Sequence, residues 1–381
     1  MIDAVRLKYD LMTKGINVPA ETKDFLISAY GEKFYKDDYV TTTGLMLEFD
    51  NGICVTTGMR DESPYGLVAK DGNLFIAKSD DKDFQGLLPA KLWEPNPYLT
   101  ENGTDRFGPS ISAQFDRVRI SLICGCSFHC AFCSLNEIPY NKSSVENLTV
   151  ALEEALKDER VTHVLITGGS PKEEDLPYLT EVYEYFCKKF PGTEFDIMMA
   201  PRGFTSYTDD SQYLDYLKHL RDIGVHGLSI NLELCDEKTA QKYCKEKAAI
   251  GKERYAKFLK LASEVFGPKN VRSAVIVGLE DKESTIEGIK MICACGCQPV
   301  LSPYIPYNGI GEYPDTEYLM DIGREATQIV KSCGLEIAPV CDSKHKGDKN
   351  NTLESHDGQQ LSLVSEEQLL PLAVKKQIQK R

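Results

Sequence analysis

The sequence predicts an α/β protein: a partial (β/α) barrel of the TIM type, about six parallel βα units, preceded by a small N-terminal β-rich subdomain. Three observations carry that expectation. From about Asp116 onward, short apolar runs alternate with amphipathic segments, the pattern of parallel strands joined by helical crossovers. Before that point, Asn-Gly and Asp-Gly pairs separate short β-rich runs, which reads as hairpins because Asn and Gly tolerate the positive φ of tight turns. Six or seven repeats are too few to close an eight-stranded barrel. The expected boundaries are 1–112 for the helical and β-hairpin subdomain, 113–342 for the barrel and 343–381 for a polar tail.

Taken in order, two short helical stretches open the chain. Asp50-Asn51-Gly52 then separates two apolar runs, and Lys70-Asp71-Gly72 separates 65–69 from 73–78, giving two expected hairpins. The Pro-rich passage 88–98, followed by Asn102-Gly103 and Gly108-Pro109, reads as a linker. Barrel strands are expected at 118–123, 163–167, 195–200, 227–232, 271–277, 299–304 and 336–340. The first crossover helix opens with a capping box, Ser143 and Glu146, and places Leu148, Ala151, Leu152 and Ala155 on one face. Beyond Ser343 the chain is polar, with periodicity only at 366–374.

A hydrophobic fraction of 42% with 27% charged residues is that of a globular protein. No apolar run reaches the roughly 18 residues of a membrane helix, and the N-terminus lacks the apolar core of a secretory signal. A cytoplasmic protein is expected. The net charge of −14 disfavours a broad nucleic-acid footprint, which is basic. A small molecule or a peptide or protein is the expected substrate class. Thirteen cysteines in a reducing compartment point to metal rather than disulfides where they cluster; scattered ones such as Cys54, Cys187 and Cys244 read as small buried hydrophobes.

The densest cluster follows the first barrel strand: Cys124-Gly-Cys126-Ser-Phe-His-Cys130-Ala-Phe-Cys133. Its inner spacing is C-x3-C-x2-C. Three thiolates on one loop hold three irons of a cubic cluster and leave the fourth iron without a protein ligand. An open position marks a catalytic centre rather than a structural one. The competing reading is a structural zinc site on Cys124, Cys126, Cys130 and Cys133, or with His129 as fourth ligand. Zinc ribbons pair two separated Cys-x2-Cys knuckles, and no second knuckle is present in the sequence.

This loop, after the first strand of a (β/α) repeat, resembles the signature of the radical S-adenosylmethionine (AdoMet) superfamily. The resemblance implies a [4Fe–4S] cluster on Cys126, Cys130 and Cys133, with AdoMet chelated at the free iron. It also implies a flavodoxin or ferredoxin as electron donor, and homolysis of AdoMet to a 5′-deoxyadenosyl radical that takes a hydrogen from the substrate. Thr167-Gly168-Gly169-Ser170-Pro171 matches the family's GGEP position, with Ser170 in place of Glu, and implies backbone contact with the AdoMet amino group. Ser229, Asn231 and Glu233 share one face of the fourth strand by period 2, at the position where the family contacts ribose; pairing with a neighbouring cation such as Arg202 is the alternative. Gly278 and Glu280 resemble the adenine-side segment, and Tyr304 ends the sixth strand, where backbone meets adenine. Phe132 lies near adenine by the same analogy. The run from Ser229 to Tyr304 is most similar to the biotin synthase and lipoyl synthase branch.

Cys341 ends the expected last strand at the active-site end and is placed for hydrogen donation or adduct formation, the alternative being a packed thiol. Cys293, Cys295 and Cys297 close a helix at the opposite end of the barrel, where packing is the expected role and a second metal cluster the alternative. Two other functions compete: a radical methyl- or thiotransferase acting on RNA, and a degenerate protein that binds the cluster without catalysis.

Overall fold

A computed structural model describes residues 4–32, 34–35, 44–49, 53–78, 86–94, 100–101, 104–105, 111–114, 117–161, 163–201 and 209–335. Helices α1 (Ala4–Lys14) and α2 (Ala20–Tyr30) precede five strands, β1 (Leu45–Phe49), β2 (Ile53–Thr57), β3 (Tyr65–Lys70), β4 (Asn73–Lys78) and β5 (Leu88–Leu92). They form an antiparallel sheet in the order β2-β1-β5-β4-β3. At the β3–β4 turn Asp71 and Gly72 adopt φ of 51° and 77°, the conformation this pair was expected to supply. The other expected turn, at Asp50-Asn51-Gly52, lies outside the described residues, as do Asn102-Gly103 and Gly108-Pro109.

One expectation is corrected here. Leu88–Leu92 is a central strand rather than part of a linker. Pro89 is tolerated because it pairs only with Phe75 of β4; the ladder to β1 begins at Ala90, past the missing N–H. The proline signal outweighed Leu88, Ala90 and Leu92, which alternate as strand residues do.

After β6 (Thr100–Glu101) and β7 (Thr104–Asp105), a short antiparallel pair, comes the second sheet. Six parallel strands lie side by side in chain order: β9 (Arg117–Cys124), β11 (His163–Gly168), β12 (Glu194–Met198), β13 (Gly227–Ser229), β14 (Val271–Val277) and β15 (Gln298–Pro303). Their crossovers carry α3 (Val145–Ala155), α4 (Leu176–Lys189), α5 (Asp210–Asp222), the succession α6 (Glu237–Tyr243), α7 (Lys245–Ile250) and α8 (Lys252–Phe266), and α9 (Lys282–Ala294); α10 (Thr316–Ser332) follows β15. This is the partial barrel the alternation predicts. Two antiparallel strands not anticipated, β8 (Ile111–Gln114) and β10 (Asn141–Lys142), pair along the open edge of β9 and satisfy its backbone groups. The expected strand at 336–340 lies outside the described residues.

Each barrel strand buries its alternate residues against the helices: Val118, Ile120 and Leu122 of β9, Val164 and Ile166 of β11, and Val271, Val275 and Val277 of β14 belong to one core with Leu152, Phe186, Leu217 and Leu259. The other face of each strand points into the barrel. The α3 cap differs by one residue from expectation: Ser144 accepts from Asn147 N–H, while the Ser143 hydroxyl donates to Ser121 O at 2.6 Å.

Helix α1 serves two cores. Leu7 and Leu11 pack with the five-stranded sheet, and Val5 and Tyr9 pack with the barrel. Its buried Asp10 accepts from Tyr65 of β3 at 2.6 Å and from Thr316 of α10, which pins the sheet to the barrel. Among the described residues no helix is long and apolar enough to cross a membrane.

Candidate cluster and cofactor site

The C-terminal ends of the barrel strands open into a cavity of about 330 Å³. Cys126, Cys130 and Cys133 all line it. Their loop follows β9 and is docked on the end of β11. Ser127 N–H donates to Ser170 O at 2.9 Å, and the Ser127 hydroxyl donates to Ser170 O and Pro171 O at 2.8 and 3.0 Å. The Cys126 sulfur accepts from Phe128 N–H at 3.3 Å and Ser170 N–H at 3.1 Å. On the other side Ala131 N–H donates to Tyr243 O at 2.8 Å.

Gly169 is what lets the two loops meet. A Cβ there would stand 1.8 Å from Gly125 O and 2.5 Å from Cys126 Cα. The glycine pair read as a cofactor contact is therefore first a packing requirement of the cysteine loop.

The donor set suits a cluster. Two N–H groups aimed at one sulfur stabilise a thiolate. Burial pushes the Cys130 thiol well above the ordinary range and raises the Cys133 thiol, opposed in both by the Lys247 ammonium; bound iron would supply the positive charge that ionises such thiols. Among the described residues no three His, Cys, Asp or Glu side chains converge closely enough to hold a single metal ion; a four-iron cluster spreads its thiolates further apart. The zinc reading loses its fourth ligands: Cys124 contacts the Ser143 hydroxyl at 3.5 Å, His129 Nδ1 meets Glu246 Oε1 at 3.0 Å, and neither lines the cavity.

Of the expected cofactor-contacting residues, Phe132, Gly168, Gly169, Ser170, Pro171, Ser229, Asn231, Glu233 and Tyr304 line the cavity. Asn231 Oδ1 accepts from the Ser229 hydroxyl at 2.9 Å and from Ala274 N–H at 3.3 Å. Glu233 has φ of 69° and pairs with Lys247: Nζ donates to Glu233 Oε1 and to Asn231 O, both at 2.9 Å. The Lys247 ammonium is deeply buried; burial disfavours its charge, and the Glu233 carboxylate more than restores it. The candidate partner Arg202 lies outside the described residues.

Gly278 and Glu280 do not reach the cavity. Gly278 packs on Pro314, and the Glu280 carboxylate accepts from Cys235 N–H at 2.9 Å and Asp236 N–H at 2.8 Å, holding the loop after β13. Burial raises that carboxyl to about 7 despite those bonds. Cys341 lies outside the described residues. Lys247, Arg117, Arg119 and Arg272 also line the cavity without having been singled out. Arg117 and Arg119 were visible as two charges at period 2 in an apolar strand; Lys247, in a lysine-rich helix, gave no signal.

Residues 120–291 match the sequence model of the Radical SAM superfamily, whose cofactors are a [4Fe–4S] cluster and AdoMet. Among curated relatives, the GTP 3′,8-cyclase of Campylobacter jejuni subsp. doylei is 30% identical over 140 residues, 34% of this chain and 39% of that protein. The GTP 3′,8-cyclase of Aliarcobacter butzleri is 27% identical over 187 residues, 47% of this chain and 51% of that protein. The chain thus spans about two fifths to one half of the length of these relatives. Among solved structures, the FeFe-hydrogenase maturase HydG of Carboxydothermus hydrogenoformans aligns over 57% of this chain and 52% of its own, with 16% identity and a TM-score of 0.45. Streptococcus suis SuiB bound to S-adenosylmethionine aligns over 58% and 49%, with 19% identity and a TM-score of 0.43. The placement beside biotin synthase and lipoyl synthase gains no support from these relatives.

Proposed function

We propose that the chain is an enzyme that reductively cleaves AdoMet and uses the resulting radical to take a hydrogen from a small-molecule or peptidyl substrate. The observation that carries this is the convergence of three loop thiols and polar residues at the ends of three strands, β11, β13 and β15, on one cavity. When bound, the cluster with AdoMet supplies an electron to the sulfonium and a 5′-deoxyadenosyl radical. Cys126, Cys130 and Cys133 are the residues to hold it, and Ser170 N–H and Phe128 N–H steady the Cys126 thiolate. The backbone of 168–171 is placed for the AdoMet amino group, and Ser229, Asn231 and Glu233 for ribose hydroxyls. Phe132 and Tyr304, which line the same cavity, would lie on the adenine side. Met198, Ile276 and Val300 form apolar wall that keeps water from the reacting atoms. A flavodoxin or ferredoxin is the proposed electron donor. The relatives named for a GTP cyclisation favour a small-molecule substrate.

Anaerobic reconstitution tests this. About four irons with matching labile sulfide per chain, and 5′-deoxyadenosine formed from AdoMet under reduction, are expected. Stoichiometric zinc without labile sulfide would overturn it.

A further inference from the structure

The floor of the cavity is cationic. Arg117 and Arg119 stand two residues apart on β9, on the face opposite Val118 and Ile120, and so point into the barrel. Arg272 enters from β14. All three are buried, at 6, 8 and 6% exposure. Burying a guanidinium costs free energy that paired, hydrogen-bonded surroundings must offset, and Arg272 meets this through Asp196, bonded at 2.8 Å. Asp196 also contacts His226 Nδ1 at 3.1 Å but does not line the cavity. Burial alone would raise its carboxyl; Arg272 and His226 hold it below the ordinary range.

Among the described residues that line the cavity a ligand meets four cations and one carboxylate, in a chain whose net charge is −14. The carboxylate, Glu233, is bonded to one of the four, Lys247. Arg272 lies four residues before Ile276 along β14, roughly 13 Å at about 3.3 Å per residue, and is the register partner of Ser229 of β13. Arg117 and Arg119 lie seven and five residues before Cys124, the end of β9, so a group seated on all three lies below the cysteine loop. Met12 of α1 and Thr56 of β2 line the same cavity, so the N-terminal unit contributes to its wall.

We infer that the substrate is an organic anion whose carboxylate or phosphate seats on Arg117, Arg119 and Arg272, with its reacting carbon directed up toward the cysteine loop. The chemistry at that carbon rests on the function proposed above; the anion seat does not. Arginine suits the task because it stays charged and offers a planar fork of donors that matches either acid group. Asp196 is a positioning residue that fixes the plane of Arg272.

Calorimetry on the anaerobically reconstituted full chain, with pyrophosphate and succinate as probes, tests the seat. Saturable binding of at least one probe is expected, and the preferred probe tells phosphate from carboxylate. Arg119→Gln and Arg272→Gln should each weaken it tenfold or more, because charged hydrogen bonds are lost, while AdoMet affinity stays within about twofold. Arg119→Lys keeps the charge and guards against misfolding: it should lose less affinity than Arg119→Gln at an unchanged melting temperature. Binding of neither probe to the wild-type chain, or equal binding to both glutamine variants, overturns the seat. A 5′-deoxyadenosine assay on the same sample separates the two ideas. AdoMet cleavage without anion binding overturns the seat alone; anion binding without cleavage overturns the radical chemistry and supports the seat.

Discussion

Cys126, Cys130 and Cys133 leave the end of β9 on a loop held by its neighbours' backbone, whereas Cys293, Cys295 and Cys297 sit where α9 gives way to β15. The two triads differ in spacing, C-x3-C-x2-C against C-x-C-x-C, and in surroundings. The first lines a cavity, and its Cys126 sulfur accepts two N–H bonds. In the second, thiols donate to carbonyls of α8: Cys295 Sγ to Ala256 O at 3.3 Å and Cys297 Sγ to Leu259 O at 3.4 Å. The Cys126 sulfur faces backbone N–H donors, whereas the Cys295 and Cys297 sulfurs face carbonyl oxygens. Spacing and place agree: the triad with the more open spacing falls at the C-terminal end of the barrel strands, where reactive groups gather.

The largest expected effect tests that contrast directly. Cys126→Ala, Cys130→Ala and Cys133→Ala should each abolish AdoMet cleavage and strip most of the iron, whereas Cys295→Ala should keep both. Iron, sulfide and 5′-deoxyadenosine assays on the four variants decide it, and equal losses would make the second triad a metal centre too.

Next comes a pair of glycines. Gly169→Ala drives a Cβ into backbone of the cysteine loop, at 1.8 Å from Gly125 O, with no flexible group to yield. The expected outcome is a folded barrel by circular dichroism that retains little iron. Gly296→Ala, beside the second triad, meets only the Ser263 hydroxyl at 2.8 Å but carries φ of 76°. It should cost about 1 kcal/mol of stability and leave the iron content unchanged.

A third, smaller effect concerns Glu233. Removing one partner of a buried ion pair strands the other charge, at about 3–5 kcal/mol, and Glu233 and Lys247 side chains are only 17 and 13% exposed. Glu233→Ala should therefore lower the melting temperature as well as AdoMet affinity. Glu233→Gln with Lys247→Met should recover much of the stability, since no unpaired charge remains. If AdoMet affinity recovers with it, Glu233 belongs to the scaffold; if affinity stays low, it contacts ribose.

The sequence carried the barrel because period-2 and helical patterning are strong over repeated βα units, and the first triad because its spacing is demanding. Ser229, Asn231 and Glu233 were brought to the cavity by the same period-2 argument. The same alternation places Arg117 and Arg119 on the inward face of β9, opposite Val118 and Ile120. What stayed hidden depends on partners far along the chain. β5 is made a strand by β1 and β4 on either side, which outweighs Pro89. Lys247 becomes a site residue only because α7 folds back toward β13, and nothing in Cys244-Lys245-Glu246-Lys247 marks one lysine over the other. Glu280 fits a motif, yet its carboxylate is spent on the backbone of Cys235 and Asp236.

The smallest expected effect asks whether the second triad does anything beyond packing. Cys297 is fully buried in the barrel core, with its thiol directed at Leu259 O. Burial raises that thiol as it raises the Cys130 thiol, so what sets Cys297 apart is its position: the sulfur faces Leu259 O and is not among the residues lining the cavity. Cys297→Ala removes one sulfur and leaves a small void. The cost should be about 1 kcal/mol, near the centre of the range for single substitutions, and the melting midpoint should fall by only a few degrees. Cys297→Ser fits the same space and keeps a donor for Leu259 O, so it should cost no more than the alanine variant. Thermal melts of both, with iron counted on the same samples, give the answer. Small, similar shifts at constant iron identify a packed thiol; loss of iron in step with stability would give the two triads the same chemistry.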